Sequence, residues 1–178
     1  MGIAAVEFSL VAIVFFTLFF GIVEFARAMY MFNTLQEVTR RAAALATKAD
    51  FSNIDAMQNV REQAVFRNDK GILAFGSPIS DDNINIDYMR IAKDGTTLTA
   101  ERIPDDQVPA SPADNLANCA RNPYGGNCIR LVRARVCQET SGETCTTVQY
   151  ETLVALVPMP LGLPRAPTIM TAETFDGP

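Results

Sequence analysis

One carboxylate lies where a carboxylate is costly. Glu7 interrupts an apolar amino terminus, Ile3-Ala4-Ala5-Val6-Glu7-Phe8, and the run that continues from Phe8 to Val23 carries only Ser9 and Thr17 as polar side chains. Glu24 then marks the return of charge, with Arg27 three residues on. An ionised group at a bilayer centre costs roughly 2.5–3.5 kcal/mol on insertion scales, so Glu7 needs an opposite charge or a task. Glu24 has a plainer role, pairing with Arg27 one turn away at a membrane surface. The chemistry these residues offer is charge pairing. Catalysis is disfavoured: the chain has no His, which excludes a Ser-His-Asp triad, a Cys-His pair and a His base or metal ligand. A net charge of −5 and a pI near 4.7 argue against nucleic acid as a partner. No cofactor, metal or small-molecule substrate is expected, and the protein reads as a non-enzyme.

The four cysteines, Cys119, Cys128, Cys137 and Cys145, contain no CxxC pair. Two disulfides in an oxidising compartment fit them better than zinc. Three connectivities are open; Ser141-Gly142 reads as a hairpin connection and favours Cys119 with Cys128 and Cys137 with Cys145. Asp81, Asn83, Asn85 and Asp87 alternate like the first ligands of a calcium loop. Ile86 stands where the turn needs Gly and Ala92 where it needs Glu, so a solvated edge strand is the better reading. Arg130, Arg133 and Arg135 read as a solvated or ion-paired strand face, and Pro123-Tyr124-Gly125-Gly126 as an ordinary turn.

The elements that must carry these groups begin with one long helix. Ile3 to Val23 is 21 residues, close to the roughly 20 that cross a hydrocarbon core. Beyond it Ile22, Phe25, Met29, Phe32, Leu35, Val38, Ala42, Leu45 and Ala49 recur every three or four residues and predict a buried stripe on the same helix. Glu24, Arg27, Asn33, Glu37, Arg40, Arg41 and Lys48 fall between them as the polar face. Gly21 is the only weak point. Ser52 with Asp55 predicts the cap of a second helix that buries Met57, Val60, Ala64 and Val65 and closes at Gly71. Alternation at Ile84, Ile86 and Tyr88, a turn at Lys93-Asp94-Gly95 and a return over Thr96 to Ile103 predict a hairpin. Further strands are expected over Cys128 to Cys137, Cys145 to Val157 and Thr168 to Phe175, with a long loop from Pro104 to Asn127 and a rigid Pro158 to Pro167 connection. The expected fold is α+β: a long amino-terminal transmembrane or filament helix packed on a small antiparallel-sheet head with two disulfides.

Gly2-Ile3-Ala4-Ala5-Val6-Glu7-Phe8 resembles the prepilin-peptidase motif of tight-adherence (Tad, or Flp-type) pilins, in which cleavage follows the Gly. Gly21-Ile22-Val23-Glu24-Phe25-Ala26-Arg27 resembles the second block of TadE-like minor pilins of that type IV system. The resemblance covers roughly the first 45 residues and is architectural beyond them. It implies a pilin-like fold and three segments: residues 1–2 as the end of a leader, 3–50 as the helix with its anchor over about 3–23, and 51–178 as a periplasmic or extracellular head. It implies cleavage between Gly2 and Ile3, with Glu7 and Phe8 setting subunit register and amine pairing, and Gly21, Glu24, Phe25 and Arg27 forming the second block. A freed Ile3 amine and Glu7 are an i, i+4 pair on one helix. Between helices the same spacing lets one subunit's amine meet its neighbour's Glu at a fixed offset.

The implied partners are a prepilin peptidase, other Tad minor pilins, the major Flp pilin and the inner-membrane assembly platform. The implied role is pilus initiation, tip assembly and adhesion, first in the bacterial inner membrane and then at the tip of an extracellular pilus. Two departures stand out. The usual basic leader is missing before Gly2, and is expected upstream of Met1. Arg27, Arg40 and Arg41 follow the apolar run, a bias that alone would keep the head inside; the cysteines and the cleavage motif place it outside. The alternatives are a single-pass inner-membrane protein whose periplasmic domain binds without polymerising, and a domain secreted by cleavage after Ala28 in Ala26-Arg27-Ala28.

Overall fold

The computed structural model describes residues 3–154, 158–173 and 175. Helix α1 runs unbroken over Ile3–Ala46, 44 residues or about 66 Å at 1.5 Å per residue. No Pro interrupts it, and its two amino-terminal hydroxyls are satisfied internally. Ser9 donates to the Ala5 carbonyl at 2.7 Å and Thr17 to that of Ile13 at 2.8 Å, so neither leaves a polar group that water must serve. No residue from 4 to 23 is buried, and this stretch is long and apolar enough to cross a membrane.

Burial of α1 against the head starts at Glu24. From there Ala28, Met31, Leu35, Val38, Ala42 and Ala46 form a buried stripe at helical spacing. Met31, Leu35 and Val38 are fully enclosed, and each contributes about 1.5–3 kcal/mol by leaving water. Helix α2 (Ile54–Ala64) packs beside α1 and buries Met57, Val60 and Ala64. Its cap is Asn53 and not Ser52: the Asn53 Oδ1 accepts from Asp55 and Ala56 N–H, while Ser52 is taken up by Asp50. The helix stops seven residues short of Gly71, with Phe66 in the left-handed region just beyond it.

Strands β1 (Ile84–Asp94) and β2 (Thr97–Arg102) make the expected hairpin, with Gly95 at φ +57° in the turn. Helix α3 covers Pro112–Arg121, and β3 (Leu131–Val136) follows. The two-residue strands β4 (Thr140–Ser141) and β5 (Thr144–Cys145) form a small hairpin, and β6 (Thr168–Thr171) completes an antiparallel sheet of order β2-β1-β3-β6. Ile84, Ile86 and Tyr88 of β1 and Val132, Ala134 and Val136 of β3 face the helices, where they join two neighbouring apolar clusters with α1 and α2. Disulfides join Cys119 to Cys128 and Cys137 to Cys145, the pairing that the hairpin reading favours.

The structure corrects four further expectations. Ile22, Phe25 and Met29 are exposed, and Glu24 and Arg27 take their place inside the stripe, because the head supplies polar partners there. The loop from Pro104 to Asn127 holds α3, capped by Ser111 and opened by Pro112 at a first-turn position. Cys145 to Val157 is no continuous strand: beyond β5 its described part makes a Gln149–Gly162 bridge and scattered backbone bonds, among them Tyr150 to Leu161 and Leu163 to Val148; residues 155–157 lie outside the described set. Finally β1 is central, not an edge, and its outer face is ionic: Asp87 is buried, accepts from Arg102 at 3.1 Å and Arg133 at 3.0 Å, and is ion-paired with Arg135 at 2.8 Å.

Candidate functional site

The exposed half of α1 presents its candidate residues outward. Ile3 is the first described residue, and Gly2, with the expected cleavage point before Ile3, lies outside the described set. Glu7 and Phe8 are exposed on the second turn. A Cβ added at Gly21 would meet nothing within 4 Å, so no packing inside the subunit requires a glycine there. Gly in mid-helix costs roughly 0.5–1 kcal/mol against Ala. That cost has no return within the chain, whereas a small residue lets another helix approach closely. Phe25 is exposed beside it.

Glu24 and Arg27 do the opposite. They are 1% and 9% exposed, and they bind the head to the end of the apolar segment. The Glu24 carboxylate accepts from the Tyr150 hydroxyl at 2.6 Å and from the Leu153 and Val154 amides at 2.6 and 3.0 Å. Arg27 donates to three carbonyls, Phe75 at 3.0 Å, Glu151 at 2.6 Å and Ser77 at 2.7 Å, and its guanidinium lies 4.9 Å from the Tyr150 ring centroid. The expected Glu24–Arg27 pair is present but loose, at 3.9 Å. The strong bonds of both residues go to loops that lie about fifty and over a hundred residues away in sequence. Burial raises the Glu24 pKa. The hydrogen bonds from Tyr150, Val154 and Leu153, with the Arg27 charge, outweigh that effect and hold it below its ordinary value. Burial and donation to Glu24 raise that of Tyr150, which stays protonated as a donor.

This arrangement can fix the angle between helix and head. Two charged side chains without partners would be costly to bury, so the helix and the 73–77 and 150–154 loops are bound to separate together. Tyr150, Glu151, Leu153, Val154, Phe75 and Ser77 are invisible to motif reasoning, because most contribute backbone atoms. The available signal was polar residues at positions 24 and 27 in phase with Met31, Leu35 and Val38.

The remaining candidates have structural roles. Arg133 and Arg135 converge on Asp87, and Arg133 also bonds Glu143 at 2.9 Å. Asp81 is buried and accepts from Gln58 and the Gly71 amide. The Tyr124 ring has the Lys93 ammonium 5.4 Å away. Among the described residues no group of His, Cys, Asp or Glu could hold a metal ion.

Residues 2–44 match the family model for TadE-like protein. The match covers all but the last two residues of α1 and none of residues 51–178, and is consistent with a TadE-like protein of the Tad pilus system. No curated protein and no solved structure matches the chain.

Proposed function

We propose that this chain is a minor pilin of a Tad-type pilus: cleaved after Gly2, held in the inner membrane by α1 over about residues 3–23, and then built into the filament through the same surface. In this reading residues 1–2 end the leader, 3–50 are the assembly helix and 51–178 the head, which stands in the periplasm before assembly and outside the cell after it. The role is structural, not catalytic. The observation that carries the reading is an apolar helix exposed on all sides over residues 4–23, interrupted by one carboxylate and joined to its head by two buried charges, in a segment that is TadE-like. Such a surface is stable only in lipid or against other helices.

Glu7 supplies the register. A new Ile3 amine carries a positive charge into an apolar setting, and a neighbour's Glu7 neutralises it at one axial offset. Glu24 and Arg27 then transmit that register to the head. In this reading the head serves initiation or the tip of the pilus, and adhesion there would place the partner surface on the head.

Glu7→Leu tests the proposal. The variant should insert into membranes at wild-type level and be strongly depleted from sheared pili. Wild-type abundance in the pili would remove the pairing mechanism. Absence of the wild-type chain itself from purified pili would favour a single-pass protein that never polymerises.

A further inference from the structure

Two apolar side chains on the head are exposed at the end nearest the apolar span. Phe75 is 83% exposed and Leu153 is 65% exposed. Neither lies on α1, yet both loops are tied to its last apolar turn. Arg27 Nε donates to the Phe75 carbonyl at 3.0 Å, the Tyr30 hydroxyl donates to that of Ala74 at 3.1 Å, and the Leu153 amide donates to Glu24 at 2.6 Å. Phe75 also holds a left-handed backbone, φ 56°. That conformation is strained for a non-glycine residue. Packing within the head returns nothing for it, because the ring is left outside.

Depth along α1 identifies the occupant. Ile3 to Val23 spans about 31 Å, the thickness of a hydrocarbon core, so Glu24 falls at its boundary and Arg27 about 4.5 Å beyond. The headgroup layer on each side is roughly 5–8 Å thick. Backbone atoms bonded to Glu24 and Arg27 are held at that depth, where aromatic and aliphatic side chains gain by entering the acyl boundary. We infer that Phe75 and Leu153 form a foot by which the head rests in the lipid headgroup layer beside its own helix, fixing the head's tilt before assembly. The inference rests on the membrane-anchored part of the proposed function. A neighbouring subunit's head is the competing occupant.

The chain has no Trp, so one introduced Trp is an unambiguous probe. The full chain is reconstituted in phosphatidylcholine–phosphatidylglycerol vesicles carrying a nitroxide quencher either at the headgroup or deep in the acyl chains, in both leaflets. Phe15→Trp reports the span. Ile54→Trp, exposed at the start of α2 beyond the far end of α1, reports water. Phe75→Trp and, independently, Leu153→Trp should show blue-shifted emission and several-fold stronger quenching by the headgroup label than Ile54→Trp. Phe15→Trp should be quenched best by the deep label. If Phe15→Trp behaves so while both head probes match Ile54→Trp, the foot is overturned and the anchor stands. Should Phe15→Trp escape the deep label, foot and anchor fall together. Head probes that shift only in assembled pili would assign the patch to a neighbouring subunit and overturn the lipid assignment.

Discussion

Removing the Glu24 carboxylate should loosen the head from the helix without unfolding either. In Glu24→Ala the Tyr150 hydroxyl keeps an acceptor, because it also lies 3.3 Å from the Glu24 carbonyl. Arg27 keeps its three carbonyls. The Leu153 and Val154 amides lose their partner. An orphaned buried donor costs about 1–3 kcal/mol, and the exposure of Leu153 lets water recover part of it, which leaves about 2–4 kcal/mol for the substitution. Glu24→Gln keeps one acceptor oxygen and gives up the charge, so about half that loss is expected. The assay is amide hydrogen exchange by mass spectrometry on the whole chain in detergent or nanodiscs, with denaturant unfolding alongside. Protection at Leu153 and Val154 should fall by one to three orders of magnitude, following about 1.4 kcal/mol per decade, while β1 and β3 amides change little. A loss below about 1 kcal/mol with unchanged exchange at both amides would show that the junction does not hold the head, and would refute the reasoning.

Two further outcomes follow from the same charges. Because the Glu24 pKa lies below its ordinary value of 4.5 in the folded protein, its contribution is complete above that value and is lost as pH falls through the lower, folded-state pKa; helix–head coupling should weaken below about 4.5, and Glu24→Gln should flatten that dependence. On the outer face of the sheet, Asp87→Ala leaves Arg102, Arg133 and Arg135 without their shared buried acceptor. Partial rescue by Asp105, Glu143 and Asn85 should keep the cost near the lower end of about 3–5 kcal/mol in denaturant unfolding, and a neutral result would show that the arginines are solvated instead.

What was legible in the sequence was whatever depends on local pattern. The apolar run of α1, the β1–β2 hairpin with its Asp-Gly turn, and the two short disulfide loops all have their causes within a few residues. Helix α3 had equally local signals, Ser111-Pro112 with Asp114, but the surrounding Pro, Asn and Gly read as loop. The junction was hidden for a different reason. Glu24 and Arg27 share the helix face of Met31, Leu35 and Val38, but their charges read as solvent-facing, and only partners brought in by the tertiary fold make their burial affordable. The same holds for Asp87, whose place in a metal-like alternation gave no hint that three arginines from β2 and β3 would enclose it. Ile22, Phe25 and Met29 were misassigned inward because an apolar stripe does not say whether protein, lipid or another subunit covers it.

The account depends on α1 being exposed by proteolysis as an assembly surface, and the mature amino terminus tests that directly. Mass spectrometry of the chain recovered from bacterial membranes and from sheared pili should find Ile3 as the first residue in both. A chain beginning at Met1 or upstream would contradict the account and leave a membrane-anchored head. One beginning at Met29 would have lost both Glu24 and Arg27, and with them the junction on which the head rests.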